Sequence, residues 1–522
     1  MDMQALAVYC DALWNTRQKA NAKLDEIARL VAPDRQGFSG PALNSEGREE
    51  IWDSTPEDAA LTLASALHGM LTNPATDWLA LRLLGDDDER LQAAEFVQTT
   101  TREILAVFSD PAGGFANEVG AFYLDLACLG TAVFYSGYTD GKGIRFKTVP
   151  LLQCAIAEGA DGVVDTVLRR WTMTPGQLAE EFGAERLSDK AQSAQANKSL
   201  EQVEVAHLVI PHAKLPKNVT DGPAEMQGRQ DAAKAVPFVS IHFETETKQL
   251  LRSGFFHESP YAVPRWSKRS GEVYGRGPGH ACLPDMRVLN RVAFSQLVGA
   301  EKLADPPMVM TSDSVIGKLR TAAGGITAVD PTQCPGGDPA RAVQQMPIVY
   351  NLEVAEAILE KRRAAIRSAF LNDRIQLAGG PQMTATEVIA RERKQNLVLG
   401  PVLGRLENEF LGPLVDRVFL LLLRAGRITA PEELAGVELR ASYISPVSRA
   451  QRQGEAEAFS RAMQYLTPCV QADPGILENF NLDRVARDSQ ELFGFPAAYL
   501  RTEQQVANAR KQRAEQAQAM QE

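Results

Sequence analysis

Two stretches decide the fold: LPDMRVLNRVAFSQLVGAEKLA at residues 283–304 and LEVAEAILEKRRAAIRSAFLNDRIQL at residues 352–377. In the first, Leu283, Met286, Leu289 (with Val288 beside it), Ala293, Leu297 and Ala300 recur mostly at three- and four-residue spacing, which predicts a helix with one apolar face. Asp305-Pro306-Pro307 ends it, because proline lacks the amide proton that a helix interior requires. In the second, Glu353, Glu356 and Glu360 come first and Lys361, Arg362, Arg363, Arg367 and Arg374 last, the order a helix dipole favours. At roughly 1.5 Å per residue that helix would run on the order of 40 Å. Gly379-Gly380-Pro381 stops it. Residues 305–350 are rich in Gly, Pro, Thr and Asp, including Gly324-Gly325 and Pro335-Gly336-Gly337, so only short strands and turns fit there. Two long helices bracket a turn-rich insert.

Upstream of this unit the chain begins helical. Leu6, Tyr9, Leu13, Arg17, Leu24, Ile27 and Val31 share a spacing that Pro33 terminates. Ser54-Thr55-Pro56-Glu57-Asp58 offers a cap hydroxyl, a proline at the first helical position and early acids, and Leu61, Leu63, Leu67 and Leu71 follow. Asp86-Asp87-Asp88-Glu89 reads as a further, solvated helix start. After Gly130 the period changes. Residues 132–138 and 144–149 are β-branched and aromatic runs joined by Thr-Asp-Gly-Lys-Gly, a hairpin signal. Strands are also expected at 163–171, 203–210, 237–244 and 250–256, with 188–200 and 214–235 as loops, giving a mainly antiparallel middle third. Downstream, Thr384-Ala385-Thr386-Glu387 forms a capping box, and Leu399, Leu403, Leu406, Phe410, Leu414, Val418 and Leu421 follow. Gly400-Pro401 and Gly412-Pro413 are expected to kink or divide that helix. Residues 448–522 return to helix and end in a Gln-, Ala- and charge-rich tail.

Composition narrows the function classes. The chain has 522 residues, a formal net charge of −11 and a pI near 5.3, a balance that argues against gripping nucleic acid by phosphate neutralisation. Cys10, Cys128, Cys154, Cys282, Cys334 and Cys469 stand singly, as reduced thiols do, with no disulfide framework or zinc spacing. The N-terminus lacks a basic n-region and an apolar h-region, and the apolar run 418–423 between Arg417 and Arg424 is far too short for a bilayer, so a soluble protein is expected.

Chemistry-bearing motifs are missing from the sequence. Tyr274-Gly275-Arg276-Gly277-Pro278-Gly279-His280 is not a dinucleotide fingerprint, since His280 stands at the third glycine, and it reads instead as a tight turn into the next helix. Gly317-Lys318 lacks the glycine and hydroxyl residues of a phosphate loop. Of the six histidines, His207 and His242 alternate with apolar residues in strands, as hydrogen-bonded sheet side chains do, and none follows His280. No catalytic residue, cofactor or metal site is expected. The run Lys361-Arg362-Arg363 with Arg367 reads first as a solvated face, and second as a contact to phosphate or to a neighbour's acids.

One family shares these segments in the same order. Leu30-Val31-Ala32-Pro33, Ile51-Trp52-Asp53-Ser54-Thr55 with Ala59-Ala60, and Leu71-Thr72-Asn73-Pro74 with Trp78 come early. Gly271-Glu272-Val273-Tyr274-Gly275-Arg276-Gly277-Pro278-Gly279, Leu283-Pro284-Asp285-Met286-Arg287 and Leu289-Asn290 stand in the middle. Met383-Thr384-Ala385-Thr386-Glu387-Val388, Leu403-Gly404-Arg405-Leu406, Glu409, Leu411, Pro413-Leu414 and Arg417-Val418-Phe419 come late. In these the chain resembles, over nearly its whole length, the portal (head-to-tail connector) proteins of short-tailed bacteriophages.

The resemblance implies an α+β, mainly helical subunit with wing, two-helix stem, clip and helical crown, assembling into a ring, usually a dodecamer. It would map 1–282 to the wing, 283–304 and 351–378 to the stem, 305–350 to the clip and 379–383 to the tunnel loop. Residues 384–447 become the kinked wing helix and return segment, and 448–522 the crown and tail. Arg374, Gly379, Gly380, Pro381, Gln382 and Met383 become tunnel-loop and lumen candidates, and Lys318 and Arg320 clip candidates. The implied partners are further copies of the chain, double-stranded DNA passing without sequence specificity, a terminase motor, major capsid and scaffolding proteins, a tail adaptor and internal core proteins. The implied location is the capsid vertex of the virion, after assembly in the host cytoplasm and without membrane contact. Two alternatives stand beside it: another oligomeric virion protein, such as a tail adaptor or core protein, and a soluble enzyme acting on nucleotides.

Overall fold

The computed structural model describes residues 2–35, 37–38, 50–84, 94–139, 141, 143–216, 237–310, 315–316, 328–334, 336, 338, 343–345, 352–375, 400–429, 438–443, 459–468, 485, 506 and 509–512. Helix α1 (Met3–Val31) starts at Asp2, whose carboxylate accepts from the amides of Gln4 and Ala5, and stops before Pro33. Helix α2 (Thr55–Leu71) has proline in its first turn, but the hydroxyl of Ser54 does not cap it. Oδ1 of Asp53 accepts from the amide of Thr55 at 2.9 Å instead. Strand β1 (Leu79–Leu84), helix α3 (Ala94–Ser109) and helix α4 (Phe115–Leu129) follow. The acidic start at 86–89 lies outside the described residues.

Two sheets fill the middle third. Strands β2 (Val133–Thr139) and β3 (Gly143–Val149) form the expected hairpin. β4 (Cys154–Glu158), β5 (Val164–Met173), β6 (Val203–Pro211), β7 (Phe238–Glu244) and β8 (Leu250–Phe256) form an antiparallel meander. β9 (Tyr261–Ala262) returns to pair with β2. The meander is covered on both sides. Leu6, Cys10 and Leu13 of α1 lie against Leu168, Leu208 and Ile241, while two short helices, α5 (Pro175–Phe182) and α6 (Asp189–Ala196), cover Val205 and Leu251. Burial on both faces explains the near-continuous apolar run of β6.

The loop expected at 188–200 is therefore wrong in part. Ser188 caps the amide of Ala191, Leu187 and Ala191 are buried, and a helix forms where polarity alone suggested none.

Helix α7 runs from Pro278 to Ala304, five residues earlier than the apolar spacing indicated, because the glycine turn at 274–277 delivers the chain directly into it. Short paired strands follow: β10 (Met308–Met310) with β13 (Val343–Gln345), and β11 (Val315–Ile316) with β12 (Ala328–Val329). Helix α8 (Leu352–Ala369) ends before its expected limit at residue 377. Leu371 takes a left-handed φ of 62°, and the buried amide of Asn372, with its nitrogen turned inward, donates to the carbonyls of Phe370 and Ala59, both at 3.1 Å. The chain is turned against α2, and a single turn, α9 (Asn372–Ile375), follows.

After residue 400 the helix is not divided at Gly412-Pro413. A π turn (Glu407–Leu411) widens it just before the proline and the helix continues as α10 (Gly412–Arg424). The amide of Gly412 bonds the carbonyl of Glu407, so the extra residue absorbs the register change that Pro413 forces. The pairing of β1 with β14 (Glu438–Tyr443) joins early and late segments, a contact no local pattern announced. Residues 459–468 are helical, in the region where helix was expected.

Candidate functional site: a rooted helix hairpin

α7 and α8 lie side by side and antiparallel. Nη1 of Arg362 reaches Oδ1 of Asp285 at 2.6 Å, and Nε2 of Gln296 donates to Oε2 of Glu356 at 2.9 Å, so ascending positions on one helix meet descending positions on the other. Two of the four residues in the basic run read as a solvated face, Arg362 and Arg363, are paired within the chain. Arg363 binds Asp53 at 2.9 Å from both Nε and Nη2, and also Glu360 at 2.6 Å, which ties α8 to the start of α2. Lys361 and Arg367 stay exposed, and the Arg362 side chain, though paired, remains 44% exposed.

The base of α7 is fixed by backbone contact. A Cβ on Gly130 would fall 2.1 Å from the amide nitrogen of Gly277, and Gly130 itself has a left-handed φ of 73°. A Cβ on Gly275 would meet the carbonyl oxygen of Gly130 at 2.2 Å. The glycines let two backbones touch, and no phosphate could share that space. His280, which broke the dinucleotide pattern, accepts from the amide of Gly277 at 3.4 Å through Nδ1 and so helps to cap α7. Burial there pushes its imidazole down to about 4.

Buried guanidinium groups join the layers. Arg265 donates to both oxygens of Glu409, at 2.9 and 3.2 Å, to Oε1 of Glu158 and to the carbonyl of Gly162 at 2.8 Å. Glu409 belongs to the π turn and Glu158 to a bulge between β4 and β5, so two local irregularities aim carboxylates at one arginine. Arg417 donates to the carbonyls of Ser136 and Glu258 at 2.9 and 3.0 Å, and burial pulls it down to about 10. Arg17 is held by the carbonyls of Leu151, Leu152 and Cys154 under the ring of Trp14. Asp125, buried beside Arg35 at 2.8 Å, is pushed up to about 6 because desolvation outweighs its partner.

His207 and His242 are sheet side chains. Their rings stack at 3.8 Å, and His207 bonds the hydroxyls of Tyr261 at 2.8 Å and Ser240 at 3.0 Å. Among the described residues no cluster could hold a metal ion, and no helix is long and apolar enough to cross a membrane.

The tunnel-loop candidates Gly379, Gly380, Pro381, Gln382 and Met383, the clip candidates Lys318 and Arg320, and the capping box at 384–387 lie outside the described residues. Of Arg374 the backbone is placed, in α9 directly after the Asn372 turn. The Arg265 cluster went unread in the sequence; its one signal was Glu409 within an otherwise apolar helix spacing.

The geometry is that of an antiparallel helix hairpin rooted by glycine contacts and ion pairs. A model of the bacteriophage head-to-tail connecting protein family matches residues 3–500. The chain is 29% identical over 480 residues to the probable portal protein of Bordetella phage BPP-1, covering 90% of this chain and 83% of that one. It is 27% identical over 521 residues to the portal protein of Salmonella phage epsilon15, covering 98% and 90%. A chain from the virion of a native gene transfer agent particle aligns over 84% of this chain at 12% identity, but with a TM-score of 0.33, too low to bear on the fold. The chain belongs to the bacteriophage head-to-tail connecting protein family. It is thus a phage portal, a virion capsid component serving DNA packaging and tail attachment, in a family that is structural and implies a ring at the capsid–tail junction.

Proposed function

We propose that twelve copies form the ring, that the ring is not an enzyme, and that double-stranded DNA both enters and leaves through it. α7 and α8 act as the stem, residues 305–350 as the clip, 379–383 as the tunnel loop, 1–282 with 384–447 as the wing, and 448–522 as the crown. A terminase motor docks first and a tail adaptor later, with capsid, scaffolding and internal core proteins around the wing and crown. The observation that carries this reading is the antiparallel α7–α8 hairpin, whose far end carries the turn-rich insert and whose near end is rooted at Gly130 and Asp53. A hairpin of that form can stand beside its copies around a hole. The net charge of −11, repeated around the ring, leaves the duplex little to adhere to.

Native mass measurement with negative-stain imaging of the purified full chain tests the proposal. Rings of twelve with a central hole are expected, inert in ATPase and nuclease assays. Solid particles, open filaments or turnover of either substrate would overturn it.

A further inference from the structure

The five-stranded meander carries a row of basic side chains away from the helix hairpin. In register, Arg169 of β5 stands opposite His207 of β6, His207 opposite His242 of β7, and His242 opposite Arg252 of β8. Directly paired residues of neighbouring strands project from the same face of a sheet, so all four side chains share one surface. With strands about 4.8 Å apart, the two arginines start from backbones roughly 14 Å apart, one at either end of the row.

Both guanidinium heads turn toward the histidines between them. The hydroxyl of Tyr261 is shared, bonding Nδ1 of His207 at 2.8 Å and also binding Arg169. Arg169 lies over the ring of Trp171, 4.4 Å from its centroid, and Trp171 meets the His242 ring edge-on. From the other end, Arg252 lies over the ring of Phe182 at 4.9 Å, and Phe182 is 5.4 Å from the His242 ring. One imidazole therefore adjoins both of the rings on which the guanidiniums rest.

These arginines differ from those that join the layers. Arg265 and Arg363 end on carboxylates, whereas Arg169 and Arg252 make no ion pair among the described residues. Nε of Arg169 donates to Gln153 at 3.0 Å, and Nη2 of Arg252 to the carbonyl of Glu181 at 2.5 Å, which leaves further N–H donors on each fork. Two acids on the same packing elements do not neutralise the row. Glu244 is held by the amide of Ser188 and the hydroxyl of Thr247, and the exposed Glu181 meets Arg252 through its backbone. Nδ1 of His242 is closed off from water and has no hydrogen-bond partner. Gathered like charges and an orphaned polar atom each cost stability, and an anion seated on the row would offset both.

We infer that this row binds an oxyanion of the phosphate class, with the forks of Arg169 and Arg252 gripping it from two sides and His242 donating to it as the neutral Nδ1–H tautomer. A planar guanidinium matches two phosphate oxygens at once, which a lysine in the same place does not. The rings of Trp171 and Phe182 already hold the two heads, so little side-chain freedom is lost on binding. Phosphate of this kind has two sources, the free ion and the backbone of a nucleic-acid strand. The site stands apart from the ring reading, since all its donors come from one copy of the chain.

Isothermal titration calorimetry of inorganic phosphate into the full chain at neutral pH, with chloride holding the ionic strength constant, tests the site. Wild type should show one saturable site per chain with a Kd of about 1 mM or tighter. Arg169→Gln and Arg252→Gln should each weaken binding about tenfold or more while circular dichroism matches wild type, and Arg252→Lys, which keeps the charge and loses the fork, should weaken it as well. Repeating the wild-type titration with short duplex DNA present separates the sources: lost phosphate binding assigns the row to a strand's backbone, and unchanged binding assigns it to the free ion. No saturable binding in wild type, or wild-type affinity in the folded variants, would overturn the assignment.

Discussion

Replacing Arg265 by methionine removes a group that joins the π turn to the β4–β5 bulge. The arginine is almost fully buried, and Glu158 and Glu409 are only 17% and 15% exposed, so the change leaves two carboxylates in a poorly hydrated place. Stranding a buried ionic partner costs about 3–5 kcal/mol. Both acids keep some support. Lys268 remains 2.6 Å from Glu158, and Arg405 lies 3.3 Å from Glu409. The loss should therefore sit at the low end of that range, about 3 kcal/mol. Arg265→Lys keeps the charge but not the fork that reaches Glu409, Glu158 and Gly162 together, and it should fall between wild type and methionine. Adding Glu409→Gln to Arg265→Met should recover part of the loss by removing one stranded charge. Urea unfolding followed by tryptophan fluorescence suits the test, because buried Trp266 is the next residue. A loss below about 1 kcal/mol for Arg265→Met, or no recovery in the double variant, would show that the cluster is not the joint described here.

Three other outcomes follow from the same contacts. His207 and His242 sit in a cross-strand row between Arg169 and Arg252, and burial holds His207 well below its ordinary value and His242 near 3. Their folded pKa values are depressed below the unfolded value of about 6.5, so stability is full above that pH and falls as the pH drops toward about 3, by up to about 1.4 kcal/mol per pH unit for each histidine; His207→Gln/His242→Gln should flatten that slope in denaturation midpoints measured between pH 7 and 4. Gly130→Ala meets both a left-handed φ and a Cβ contact at 2.1 Å, so it should abolish soluble folded protein, whereas exposed Gly69→Ala, with open space at its Cβ, should not alter yield. Arg363→Ala strands Asp53, whose side chain is 5% exposed, and should cost about 1–3 kcal/mol in urea unfolding, while Lys361→Ala and Arg367→Ala stay within about 0.5 kcal/mol.

What the sequence made legible was whatever local periodicity encodes. α1, α2, α7, α8 and most strands followed from spacing, and α7's end from two prolines. What it hid depended on partners distant in the chain. β1 pairs with β14 some 360 positions later, a register no short window contains. Residues 188–200 looked like a loop because their polarity masks Ala191, which is buried against the sheet with its upstream neighbour Leu187. Val288 and Leu297 read as core from spacing alone, yet both stay exposed, because α8 covers only one side of α7. Arg362 and Arg363 looked like surface charge because Asp285 and Asp53, which bind them, lie some 77 and 310 positions away. The candidate site shared this limit. Its glycines announced a turn, but only the fold shows that Gly130, in another element, is the surface against which that turn closes.

The distribution of arginine links the fold to the proposed role. Arg17, Arg265, Arg363 and Arg417 are each directed inward, to carbonyl oxygens or to carboxylates of the same chain. A guanidinium held in this way is screened from phosphate, so these four cations add little to the surface that a duplex would meet, in a chain whose net charge is −11. For a subunit proposed to stand around moving DNA, that is a useful division: these cations hold helices and sheets together instead of offering contacts to a sliding duplex.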